Sequence, residues 1–80
     1  MRNDEILAKL TPIFRDVFDD DDMVPMLGMK ADDVAGWDSL THVRLVASIE
    51  KQFGVRFSAS EVGILRDVGD LVALIGKKTD

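Results

Sequence analysis

The sequence predicts an all-α fold: a small bundle of three main helices and one short helix, with a long loop between helices one and two. Three observations carry this. Apolar residues recur at three- and four-residue spacing in three separate stretches, the pattern that lines one face of a helix. No strand pattern, repeat or low-complexity tract competes with it. The chain has 80 residues and no cysteine, so one domain over residues 1–80 must hold together by packing alone, for which 46% hydrophobic residues supply the material.

In helix one the stripe is Ile6, Leu7, Leu10, Ile13, Phe14, Val17 and Phe18, with Asn3 or Asp4 available as cap. Pro12 interrupts it by removing a backbone donor and crowding the preceding turn. Because the stripe keeps its phase, one kinked helix is expected; the alternative is a restart with Thr11 as cap and Pro12 at the first position. From Asp19 to Trp37 no period survives, and four aspartates, Pro25, Gly28 and Gly36 mark a loop. Met23, Val24, Met26, Leu27 and Val34 are its expected anchors on the core, and Met23, Met26 and Met29 also suit an adaptable apolar contact.

Helix two starts behind Asp38 and stops at Gly54, with Leu40, Val43, Val46, Ala47, Ile49 and Phe53 as its stripe. Val55 and Phe57 form an extended link. Ser58 followed three residues later by Glu61 has the pattern of a capping box and opens the short helix. Asp67 caps the last helix, whose Val68, Leu71, Val72 and Ile75 face inward and whose Lys77 and Lys78 lie near the negative end of its dipole.

Composition excludes several functions. Ten Lys and Arg against fifteen Asp and Glu leave a net charge of −5, which argues against a general nucleic-acid binder. Without cysteine there is no thiol nucleophile or thiolate metal cluster. The single histidine, His42, has no second base beside it to complete a hydrolase triad. The run Asp19–Asp22 lacks the alternating ligands and glycine of a calcium loop and reads as a solvated turn. The N-terminus lacks the charged head and long apolar run of a secretory signal. The longest apolar run elsewhere, Leu71 to Ile75, has five residues where a membrane span needs about 20. A soluble, cytoplasmic monomer without membrane insertion is expected, and its Met1 start and short tail point to a free-standing chain.

The acidic excess is local. Residues 16 to 38 carry eight aspartates against Lys30, net −7, whereas residues 39 to 53 carry Arg44 and Lys51 against Glu50, net +1. At the boundary stands Gly36-Trp37-Asp38-Ser39-Leu40. Gly36 permits a sharp turn, Asp38 caps the helix, and Ser39 stands in its first turn, where free N–H groups favour an anion. Taken alone, this reads as an ordinary helix cap.

The wider pattern from Gly36 to Ile75 resembles the phosphopantetheine-carrying acyl carrier protein family. The resemblance rests on G-W-D-S-L at 36 to 40 and the register Val43, Val46, Ile49 and Phe53, then Phe57, Glu61 and the closing run Asp67 to Ile75. It implies a carrier, not an enzyme, on which a phosphopantetheinyl transferase modifies Ser39 with 4'-phosphopantetheine from coenzyme A. The arm's thiol then bears an acyl thioester that acyl-activating, acyltransferase or ketosynthase partners load and use. Gly36, Trp37, Asp38 and Leu40 form the attachment motif around Ser39, while Val43, Ala47, Val62 and Leu65 are expected to line a chain pocket. An aminoacyl or peptidyl carrier shares the same motif, and a helical interaction module without prosthetic group is the alternative from another class.

In common fatty-acid carriers the second helix is rich in acids; here Thr41, His42 and Arg44 occupy its early exposed turns. A specialised carrier for a lipid, polyketide or surface-polysaccharide pathway is therefore expected, with His42, Val43 and Arg44 as partner-binding residues. Trp37 is expected to cover the loop against the bundle, and His42 to be an ordinary exposed helix residue.

Overall fold

The computed structural model describes residues 1–79 and arranges them as α1 (Asn3–Val17), α2 (Ser39–Phe53), α3 (Ala59–Gly63) and α4 (Val68–Thr79). This is the all-α arrangement the periodicity predicts. A turn of 3₁₀ helix at Ala31–Asp33, unanticipated from sequence, lies within the long loop. Among the described residues no strand forms; Lys30 and Asp67 make one isolated antiparallel bridge.

Helix α1 runs unbroken through Pro12. Pro12 and Ala8, whose carbonyl a donor at position 12 would meet, are both exposed, so the lost hydrogen bond falls on the water-facing side, where solvent replaces it. The start differs from expectation. Arg2 holds the N-cap position without a side-chain bond, and Asn3 and Asp4 are already helical. Asp4 and Glu5 therefore act through the positive end of the helix dipole instead of as caps. The inner face buries Ile6, Leu10 and Phe14 against Leu45 and Ile49 of α2 and Val72 and Ile75 of α4, so α1 forms the centre on which α2 and α4 pack.

Of the expected loop anchors, Met23 is buried and Val34 packs against the core, but Val24, Met26 and Leu27 are exposed. The loop is instead held by its main chain. The Gly69 N–H donates to the Leu27 carbonyl at 2.7 Å and the Val68 N–H to the Met29 carbonyl at 2.9 Å. Both donors belong to the first turn of α4, which no intrahelical carbonyl can satisfy. Arg15 Nε donates to the Met23 carbonyl at 2.9 Å.

Helix α2 also departs from the expected stripe. Leu45, Val46 and Ile49 face inward, whereas Leu40, Val43 and Ala47 are exposed. The helix carries two apolar stripes, and α1 covers the one containing Leu45. It ends as predicted at Gly54, in the left-handed conformation with φ 66°. The Ser58 box forms: its hydroxyl accepts the Glu61 N–H at 3.2 Å, and the Glu61 carboxylate accepts the Ser58 N–H at 2.8 Å. Glu61 also pairs with Lys78 at 3.0 Å, which ties α3 to α4. Asp67 accepts the Asp70 N–H at 2.8 Å and caps α4 as expected.

Candidate functional site

Ser39 is the first residue of α2 and is exposed. The turn that delivers it passes through Gly36 at φ +86°, a conformation a side chain would strain. Thr41 then locks the turn. Its hydroxyl accepts the Asp38 N–H at 2.8 Å and donates to the Gly36 carbonyl at 2.7 Å, while the Asp38 carboxylate accepts the Thr41 N–H at 3.0 Å. The Thr41 N–H and then its hydroxyl hold the Asp38 carboxyl below the usual aspartate value. Asp38 is therefore an anion seated on the N-terminus of α2. The sequence suggested free first-turn N–H groups for a phosphate; the Thr41 N–H is already taken.

The Ser39 hydroxyl itself makes no hydrogen bond among the described residues. It opens onto a cleft of about 560 Å³ between the start of α2 and the α3–α4 connection. Val62, Leu65 and Leu71 line the apolar side, and Asp38, His42, Arg66 and Asp67 line the polar side. Of the residues expected to line a chain pocket, Val43, Val62 and Leu65 do so. Ala47 does not, because it sits on the outer face of α2, away from the cleft.

Trp37 covers the bundle as expected. Its ring meets Phe14 edge-on with centroids 5.7 Å apart and lies 5.6 Å from Phe18. His42 is not the ordinary exposed residue expected: it is half-buried, its ring lies at 22° to that of Trp37 with centroids 6.2 Å apart, and its Nδ1 accepts the indole Nε1–H at 3.1 Å. Leu40 and Val43 stay out in solvent at 70% and 63% exposure, with Arg44 exposed beside them.

The acidic run is a solvated turn. Asp20 accepts the Asp22 N–H at 3.1 Å, and among the described residues no group of three His, Asp or Glu is placed to hold a metal. Four site residues escaped the sequence reading: Thr41, Arg66, Asp67 and Leu71, the last read only as an inward-facing residue of α4. The spacing Asp38-x-x-Thr41 is a cap-like signal that points to the first. Nothing local to Arg66 and Asp67 announces that the chain returns them to Ser39.

The arrangement fits a phosphopantetheine group: an accessible, uncommitted hydroxyl at the lip of a cleft that is polar near the ester and apolar beyond it. Similarity to known proteins points the same way. The family signature described as "Phosphopantetheine attachment site" matches residues 5–75. The fold matches the solution NMR structure of a holo acyl carrier protein from Geobacter metallireducens with a TM-score of 0.84 and 46% sequence identity, over 90% of this chain and 83% of that one. No curated protein is significantly similar to it in sequence. No helix among the described residues is long and apolar enough to cross a membrane.

Proposed function

Because the chain belongs to the acyl carrier protein family, we propose that Ser39 bears its prosthetic group and that residues 1–80 act as one carrier domain for an acyl thioester. The family cofactor is covalent 4'-phosphopantetheine, and such a protein is a carrier, not an enzyme. The observation that supports Ser39 is its free, exposed hydroxyl at the head of the cleft. When attached, the group supplies the thiol that a cysteine-free chain lacks.

The residues around Ser39 then have distinct parts. Gly36, Asp38 and Thr41 fix the turn that presents the hydroxyl to a phosphopantetheinyl transferase. Val62, Leu65 and Leu71 offer apolar surface to the cargo, at about 0.8 kcal/mol for each methylene removed from water. Leu40, Val43 and Arg44 form an apolar and basic face toward acyl-handling partner enzymes. That basic α2, set against an acidic loop, supports service in a dedicated lipid, polyketide or polysaccharide pathway.

The test is direct. The unmodified protein is incubated with coenzyme A, magnesium and a broad-specificity phosphopantetheinyl transferase, and intact mass is recorded. One added phosphopantetheine is expected, with complete loss of the addition in Ser39→Ala. No addition across several such transferases, or an addition that survives Ser39→Ala, would refute the assignment.

A further inference from the structure

Five polar side chains line the cleft beside Ser39: Ser39 itself, Asp38, His42, Arg66 and Asp67. A phosphodiester on Ser39 is an anion and needs hydrogen-bond donors. Asp38 and Asp67 are carboxylates already accepting from the Thr41 and Asp70 N–H groups. Two candidate donors remain. The Arg66 side chain is 87% exposed and leans toward Asp70, with Nε 3.7 Å from its carboxylate. His42 stands three residues after Ser39, on the same face of α2, and is half-buried.

The state of the His42 ring follows from its partner. An indole N–H can only donate, so the 3.1 Å bond from Trp37 requires a lone pair on His42 Nδ1. In the neutral ring the proton then resides on Nε2. Orientation is fixed as well, because the imidazole is hydrogen-bonded edge-to-edge, at 22° to its plane, with an indole that is itself packed against Phe14 and Phe18.

We propose that His42 is a positioning residue for the phosphodiester: its Nε2–H donates to a phosphate oxygen, and Trp37 holds the ring in that tautomer and orientation. The inference rests on Ser39 as the attachment residue. It gives the base of the arm a fixed direction across the cleft, which the helix N-terminus, occupied by Asp38, cannot supply alone. It also gives a role to the half-buried Trp37–His42 pair beside Ser39.

Two measurements test it. On the unmodified protein, long-range proton–nitrogen NMR reads the tautomer of His42 in its neutral form. The Nε2–H form is expected to dominate, and Trp37→Phe to raise the Nδ1–H share severalfold. A dominant Nδ1–H form, or no response to Trp37→Phe, overturns the proposal. On the loaded protein, with the addition on Ser39 verified by mass, the phosphorus-31 resonance is followed through the titration of His42. An inflection coincident with that of the ring is expected, and its loss in His42→Phe. At fixed pH His42→Phe, which keeps an aromatic ring at this position, is expected to displace the resonance, whereas His42→Gln, which keeps a donor, leaves it near the wild-type position. An inflection that persists in His42→Phe, or a resonance that moves in Arg66→Ala and not in His42→Phe, overturns it. An unchanged mass would refute the Ser39 assignment itself, and this inference with it, whatever the tautomer.

Discussion

At Gly69 the loop and α4 approach so closely that a single methyl group decides the fit. A Cβ there would lie 3.0 Å from the Leu27 carbonyl oxygen and 3.2 Å from the Asp67 carboxylate. The carbonyl cannot retreat without weakening its 2.7 Å bond to the Gly69 N–H, worth about 1 kcal/mol. Helix propensity argues the other way, favouring alanine by about 0.5–1 kcal/mol. The clash is against backbone, so it wins: Gly69→Ala is expected to lower Tm by several degrees, at about 4–8 °C per kcal/mol for a domain this small. Gly76→Ala is the control. There a Cβ meets only the Ile6 side chain at 3.5 Å, ordinary contact, and thermal unfolding should show an unchanged or raised Tm. Sequence marks both residues merely as glycines inside a helical pattern; which of them is required depends on a loop forty residues away in the chain.

Helix α2 divides its apolar residues between two tasks. Leu45 is 1% exposed and Leu40 is 70% exposed, yet both are leucines in one amphipathic pattern. Truncating a buried leucine removes its transfer free energy and leaves a cavity, so Leu45→Ala should cost about 2–5 kcal/mol in urea unfolding. Leu40→Ala should change stability by no more than about 0.5 kcal/mol and be felt instead in partner binding. Equal costs for the two would mean that the outer stripe is structural. The periodicity of this helix was legible, and so were both of its ends, because Asp38 and Gly54 act locally. Which stripe faces inward was not, since two adjacent stripes satisfy the same spacing and only the position of α1 chooses between them.

Across the whole molecule the acidic surface leaves a mark on acid stability. The radius of gyration is 11.4 Å, against roughly 11.6 Å for a compact domain of this length, so even the long acidic loop is folded onto the bundle. Asp38 is held below its ordinary value of 3.8 by the Thr41 N–H, and Glu61 below 4.5 by the Ser58 N–H and then Lys78. Both carboxyls bind protons less readily when folded than when unfolded. Their contribution is therefore complete above the ordinary values and is lost as pH falls through them toward the lower folded ones. The double variant Asp38→Asn with Glu61→Gln, which keeps acceptors at both caps, should lose less stability than wild type between about pH 5 and pH 3. Parallel acid curves would show that these carboxylates carry no such linkage. By itself the sequence determined the helical class, the caps at Asp38, Ser58 and Asp67, and the G-W-D-S-L turn around Ser39, because each depends on residues within one helical turn of each other. Only the tertiary structure decided which apolar stripe of α2 faces inward, that Trp37 packs on Phe14 and Phe18 beside His42, and that Arg66 and Asp67 return to complete the cleft. Those arrangements depend on how distant segments pack, and local patterns of charge and hydrophobicity do not encode that.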